Sequence, residues 1–243
     1  MAIVIVQARM GSTRLPGKVL MDVAGRTMLE RVVTRTGRAK LIRDVVVATT
    51  TNSRDDLIEA LCKEKSWSCF RGSEDDVLDR YYQAASVYGP DDIVRITSDC
   101  PLTDPEVVDR VVQSFLEGQP NLDFVSNNMP TRTFPLGLDV EVMQFSALEK
   151  AWRADKNPNW REHVTLYIYR HPELFTTRGI ANDTDYSSMR WTVDTREDVE
   201  FVRRIYEYFG HDRFSWLEVI GALRKHADWL AINRKVKQKP DPP

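Results

Sequence analysis

The stretch Ile3-Val-Ile-Val-Gln-Ala-Arg-Met-Gly-Ser-Thr-Arg-Leu-Pro-Gly-Lys18 passes without a break from a β-branched apolar run into a loop of glycines, hydroxyls and cations. The run Ile3 to Val6 reads as a strand buried on both faces, as in a parallel sheet. The loop after it suits phosphate. Glycine lets backbone N–H groups approach an anion closely, and Arg9, Arg14 and Lys18 can neutralise a polyanion. Ligands of open α/β sheets bind beyond the carboxyl ends of strands, where this loop begins. A solvated basic loop is the plain alternative, and placement directly after a buried strand counts against it. The loop matches neither G-x-x-x-x-G-K-[ST] nor G-x-G-x-x-G, so P-loop kinases and Rossmann dehydrogenases lose ground.

Outward from the loop, short β-branched runs alternate with amphipathic segments, the pattern of parallel strands joined by crossover helices. Strands are expected at Val45 to Ala48, Trp67 to Phe70, Ile93 to Thr97 and Met189 to Val193. Helices are expected on Met28, Leu29, Val32 and Val33, on Leu57, Ile58 and Leu61, from near Ser73 with Glu74, Asp75 and Asp76 in its first turn, and from Pro105. Further helices are predicted at 146–154, from Arg161, through Val199, Val202 and Ile205, and from Ser215. The fold class is α/β: a doubly wound, mostly parallel sheet in one domain over 1–230. An arm is inserted at about 122–175, where Asn127, Asn128, Pro130, Pro135 and Gly137 loosen the pattern. Residues 231–243 are expected to form a flexible tail.

The 243 residues, 42% hydrophobic, are enough for one substantial core. A formal net charge of −2 gives no case for nucleic acid as a partner. Cys62, Cys69 and Cys100 form no CxxC pair, which favours a reducing compartment without structural zinc. The N-terminus lacks the layout of a signal peptide, and no apolar stretch is long enough to cross a bilayer. A cytoplasmic protein with no membrane partner is expected.

The segment A-R-M-G-S-T-R-L-P-G-K (Ala8 to Lys18) resembles the signature of cytidylyltransferases that activate acidic sugars, within the nucleotide-diphospho-sugar transferase fold. That group includes the 3-deoxy-manno-octulosonate and acylneuraminate cytidylyltransferases. The chain's resemblance to the spore coat polysaccharide biosynthesis protein F family is closer than that to either of these. It resembles that family in F-R-G-S-E-D-D-V-L-D-R-Y (Phe70 to Tyr81), R-I-T-S-D-C-P-L (Arg95 to Leu102), G-L-D-V-E (Gly137 to Glu141) and R-E-H-V-T (Arg161 to Thr165). The resemblance implies transfer of CMP from CTP to an acidic, ulosonic-type sugar with release of pyrophosphate, magnesium as cofactor, a role in surface polysaccharide synthesis, and a homodimer.

The candidate site follows from both readings. Gln7, Ala8, Arg9, Gly11, Ser12, Thr13, Arg14 and Lys18 are expected around the phosphates, with Thr97 and Ser98 beside them. Ala48, Thr49, Arg71, Gly72 and Ser73 end the second and third strands where the base would lie. Magnesium is usually held by one or two carboxylates plus phosphate oxygens and water. Asp99 and Asp194, each expected at a strand end, are its candidate ligands, although a lone Asp there is more often a turn or cap residue. Arg14, Lys18 and Asp99 are assigned to catalysis. Arg132, Asp139, Glu141 and His163 are candidates for the acceptor. Two further readings are a sugar-phosphate nucleotidyltransferase or nucleotide-sugar-dependent glycosyltransferase on this fold, and a non-catalytic nucleotide-binding protein. The second enzyme of the first reading would be expected to carry a D-x-D motif, which Ser98-Asp99-Cys100 does not supply.

Overall fold

The structure is a computed structural model that describes residues 1–239. Its strands are β1 (Ala2–Gln7), β2 (Ile42–Thr50), β3 (Ser68–Gly72), β4 (Asp92–Thr97), β5 (Phe124–Ser126), β6 (Glu141–Gln144) and β7 (Thr177–Gly179). The helices are α1 (Met28–Thr36), α2 (Asp56–Lys65), α3 (Val77–Tyr88), α4 (Pro105–Glu117), α5 (Phe145–Ala154), α6 (Pro158–Arg161), α7 (Leu166–Arg170), α8 (Arg196–Phe209) and α9 (Trp216–Lys225).

One open sheet runs in the order β3-β2-β1-β4-β6-β5-β7. It is parallel from β3 through β4 and again between β5 and β7, while β6 is antiparallel to both of its neighbours. Alternation along β1 divides the core between the two faces. Val4 and Val6 pack with Met28 and Val32 of α1, Val108 and Val111 of α4, and Val202 and Ile205 of α8. Ile3 and Ile5 pack with Leu78 and Tyr81 of α3 and Leu148 of α5. Helix starts are written in side chains: Thr27 with Glu30, Thr195 with Asp198, and Ser215 with Glu218 form capping boxes, and Asp104 caps α4 ahead of Pro105.

The chain moves from β1 outward to β2 and β3 on one side, then returns to place β4 on the other side of β1. The strand order therefore reverses between β1 and β4, which opens a crevice at their carboxyl ends. Ser98 N–H donates to the Gln7 carbonyl at 3.1 Å and ties the two strand ends together.

Four local expectations change. Residues 122–175 are not an arm, because β5 and β6 join the main sheet with Phe124, Val125, Val142 and Met143 fully buried. Strands of three and four residues are too short to carry a periodic signal. The acidic run precedes α3 instead of opening it: Ser73 Oγ accepts from Asp76 N–H in a turn, and Asp76 caps the helix. No helix begins at Arg161, which ends α6; Val164, at φ 59°, sits in the turn before α7.

The segment 189–193 is also not a strand of the sheet. Trp191 and Val193 are fully buried, but Trp191 N–H donates to the Leu136 carbonyl and Val193 N–H to that of Asp99. Loops supply the hydrogen bonds that a strand partner would otherwise give. At the chain end, Asn233 is buried while residues 234 and 235 are exposed, and the last four residues of the expected tail lie outside the described residues.

Gly137 holds this loop packing open. Its φ is +108°, and an added Cβ would lie 2.4 Å from the Thr192 nitrogen. Gly137→Ala is expected to lower stability by more than about 1 kcal/mol, measured by urea denaturation. An unchanged midpoint would show that the 191–194 segment does not depend on this contact.

Candidate active site

The crevice gathers three charged side chains from distant parts of the chain. After β1 the chain folds back on itself, with the Met10 carbonyl accepting from Ser12 N–H and from Gly17 N–H, each at 2.9 Å. Gly17 takes φ 73°, and the next residue, Lys18, is turned inward and buried. Its Nζ donates to Asp99 Oδ2 at 2.8 Å, to Asp194 Oδ1 at 2.9 Å and to the Val193 carbonyl at 2.8 Å. All three protons of the ammonium are thereby satisfied.

Asp99 follows β4, and Thr97 Oγ1 donates to its Oδ1 at 2.6 Å. Its carbonyl accepts from Val193 N–H, so β4 also anchors the segment carrying Asp194. Asp194 stands just before the cap of α8, and its second oxygen accepts from Arg14 at 2.8 Å and Arg190 at 2.8 Å. Burial opposes charge on Lys18, but the two carboxylates outweigh it and raise its pKa. Burial likewise works against the Asp99 carboxylate, yet Lys18 and the Thr97 hydroxyl prevail and hold it down at about 2.

Two acids, a buried ammonium and two flanking guanidiniums thus meet at the strand switch, the place where open α/β sheets bind their ligands. The model of the cytidylyltransferase family matches residues 3–228. The chain belongs to the cytidylyltransferase family. It is 34% identical over 232 residues to the spore coat polysaccharide biosynthesis protein SpsF of Bacillus subtilis, covering 92% of this chain and 94% of that protein. It is 37% identical over 115 residues to a 3-deoxy-manno-octulosonate cytidylyltransferase of Geobacter sulfurreducens, covering 46% and 44%. A solved cytidylyltransferase from Leptospira borgpetersenii superposes with a TM-score of 0.91 at 36% identity, covering 99% of this chain and 100% of that one. This chain is accordingly a nucleotidyltransferase. No helix among the described residues is long and apolar enough to cross a membrane.

Other expected site residues of this cytidylyltransferase lie at varying distances from that centre. Gln7 and Ala8 lead into the loop, with Ala8 N–H on the Ala48 carbonyl at 3.1 Å. Arg9 reaches Glu162 at 3.1 Å, joining the loop after β1 to the turn that carries His163. Gly11 lies under Glu74, which would stand 3.1 Å from an added Cβ. Ser12 is half-buried and Thr13 exposed. Thr49 is buried at the end of β2, and its hydroxyl has no partner among the described residues.

Arg71 is not free to face a base. Its guanidinium donates to the carbonyls of Thr50 and Asn52 and pairs with Asp56 and Glu59, because β3 is an edge strand and α2 packs beside it. Gly72 is enclosed, with the Phe70 ring 2.9 Å from an added Cβ, and Ser73 serves the turn before α3. On the far side of β4, Arg132 pairs with Asp139, whose pKa burial raises despite that cation. Glu141 is buried and accepts from Arg95 at 2.7 Å and Thr165 at 2.9 Å. His163 is half-buried in the turn before α7.

Sequence reasoning missed Arg190 and Asp198. The Thr195-x-x-Asp198 capping box is a readable signal for Asp198. Arg190 gave none, since its role depends on a loop that brings it back to Asp194.

Asp99 gives a signed pH dependence. Its folded pKa of about 2 lies below the ordinary 3.8, so its contribution to stability is present above pH 3.8 and is lost as pH falls through about 2. Asp99→Asn should flatten the acid limb of the stability curve measured by urea denaturation at a series of pH values. An acid limb identical to that of the parent would contradict the ion pair.

Proposed function

We propose that the enzyme transfers CMP from CTP to an acidic, ulosonic-type sugar and releases pyrophosphate, supplying a precursor for surface polysaccharide. The convergence of Lys18, Asp99 and Asp194 in the β1/β4 crevice carries this reading. It is supported by the similarity to a 3-deoxy-manno-octulosonate cytidylyltransferase and to a spore coat polysaccharide protein.

Arg14 binds phosphate oxygens, and Lys18, exchanging one of its three present acceptors for a phosphate oxygen, helps it absorb the charge that develops as pyrophosphate separates from the α-phosphorus. Preorganised charge of this kind supplies much of the catalysis in phosphoryl and nucleotidyl transfer. The acceptor hydroxyl attacks in line from the β6 side of the crevice and gives up its proton to solvent; Arg132, oriented by Asp139, and His163, beside the Thr165 that Glu141 holds, are candidates to bind its carboxylate and hydroxyls. Ala48 and Thr49 border the base. No side chain forms a covalent intermediate; one direct displacement accounts for the products.

The donor set fits magnesium. Asp99 and Asp194 direct hard oxygen ligands to one point, which the Lys18 ammonium holds in this structure. Among the described residues no cluster of three or more His, Cys, Asp or Glu could hold an ion alone, so the nucleotide phosphates would complete its coordination. When bound, magnesium would neutralise phosphate oxygens at the reacting centre.

The decisive assay combines CTP, UTP, ATP and GTP, each with magnesium and a panel of ulosonic acids, and follows pyrophosphate release. Release is expected with CTP alone among the four and only when an acidic sugar is present. Turnover that prefers a sugar 1-phosphate would overturn the acceptor assignment. Arg14→Ala should reduce kcat about a hundredfold while folding normally. Retention of full activity would remove Arg14 from the reaction.

A further inference from the structure

The C-terminal segment from Ile232 to Gln238 reaches the phosphate side of the site and is held there at two points. Asn233 is buried, and its Nδ2 donates to the Arg190 carbonyl at 3.0 Å and to Asp198 Oδ1 at 2.9 Å. Five residues on, Gln238 Oε1 accepts from Arg190 Nη1 at 2.7 Å. Arg190 is the residue that also grips Asp194, while Asp198 accepts from Asp194 N–H at 2.9 Å and pairs with Arg190 at 2.9 Å. Asn233, Arg190 and Asp198 thus brace both the backbone and the carboxylate of Asp194 from behind.

Between the two tethers lie Lys235 and Lys237. With Arg14, Ile232, Thr195 and Glu197 they line an open pocket of about 540 Å³. Arg14 joins this pocket to the catalytic cluster through its pair with Asp194. Both lysines are exposed. Glu197 and the Asp194 carboxylate on Arg14 offset two of the three cations, so the pocket retains an excess of one positive charge, on two exposed lysines, suited to a small polyanion.

We propose that this segment is a working part of the active site: Asn233 is a positioning residue for Asp194, and Lys235 and Lys237 join Arg14 in receiving the leaving pyrophosphate. The identity of the ligand rests on the nucleotidyltransfer reading above. The reaction itself is unchanged; the segment receives the group released when the bond between the α-phosphorus and the bridging oxygen breaks.

The test is calorimetric titration of the full-length protein with magnesium pyrophosphate, which requires no turnover. Asn233→Ala should weaken binding about tenfold, the low end for residues that orient a metal-binding carboxylate. The double variant Lys235→Ala/Lys237→Ala should weaken it about fivefold, with a loss that shrinks as salt rises. Thermal denaturation accompanies both. If Asn233→Ala lowers Tm but binds like the parent, Asn233 is structural only and the positioning role fails. If the lysine variant binds like the parent at low salt, the pocket is not a pyrophosphate site. A parent that binds magnesium pyrophosphate but releases none from CTP would overturn the proposed reaction and leave the binding inference standing.

Discussion

One buried ammonium holds the site together. Lys18, Asp99 and Asp194 come from three separate parts of the chain, and each would be costly to bury alone. Together they satisfy one another, and the Val193 carbonyl takes the remaining ammonium proton. The arrangement concentrates charge at the carboxyl ends of β1 and β4. A buried ion pair is weak evidence for stability, since its desolvation cost can match its attraction. Its position at the strand switch, under a loop rich in cations, is what the proposed nucleotidyl transfer makes use of.

The fold exists to bring those three together. Parallel β1 and β4 lie side by side, so the loops after them leave the sheet at the same edge. Asp194 arrives by another route: its segment contributes no strand and is clasped by the carbonyls of Leu136 and Asp99 and by the close approach of Gly137. That segment depends on tertiary packing more than on a regular element. Its orientation is set by Arg190 and Asp198, two residues whose importance lies in what they hold.

Much of this was legible in the residues. Ile3 to Val6 read as a buried strand and is one, and Pro105 after Asp104 marked a helix start from local chemistry alone. Arg14, Lys18, Asp99 and Asp194, singled out by residue type and by their places along the chain, do meet in one cluster. What escaped depended on long-range packing. The short strands β5 and β6 carry too few residues for periodicity, and Trp191 and Val193 read as a strand because burial by loops leaves the same apolar pattern. Arg71 looked like a base contact because it ends a strand; only the packing of α2 along the sheet edge commits its guanidinium elsewhere.

In the proposed reaction Lys18 and Asp99 act as one unit on the nucleotide, and a double-mutant cycle on magnesium-dependent CTP binding measures that coupling. Affinities would be measured for the parent, Lys18→Met, Asp99→Asn and the double variant. Residues in one charged network couple by about 0.5–3 kcal/mol, so the double variant should lose far less than the sum of the single losses. Losses that simply add would mean that the two side chains serve the nucleotide independently, and the account built on their convergence would be wrong.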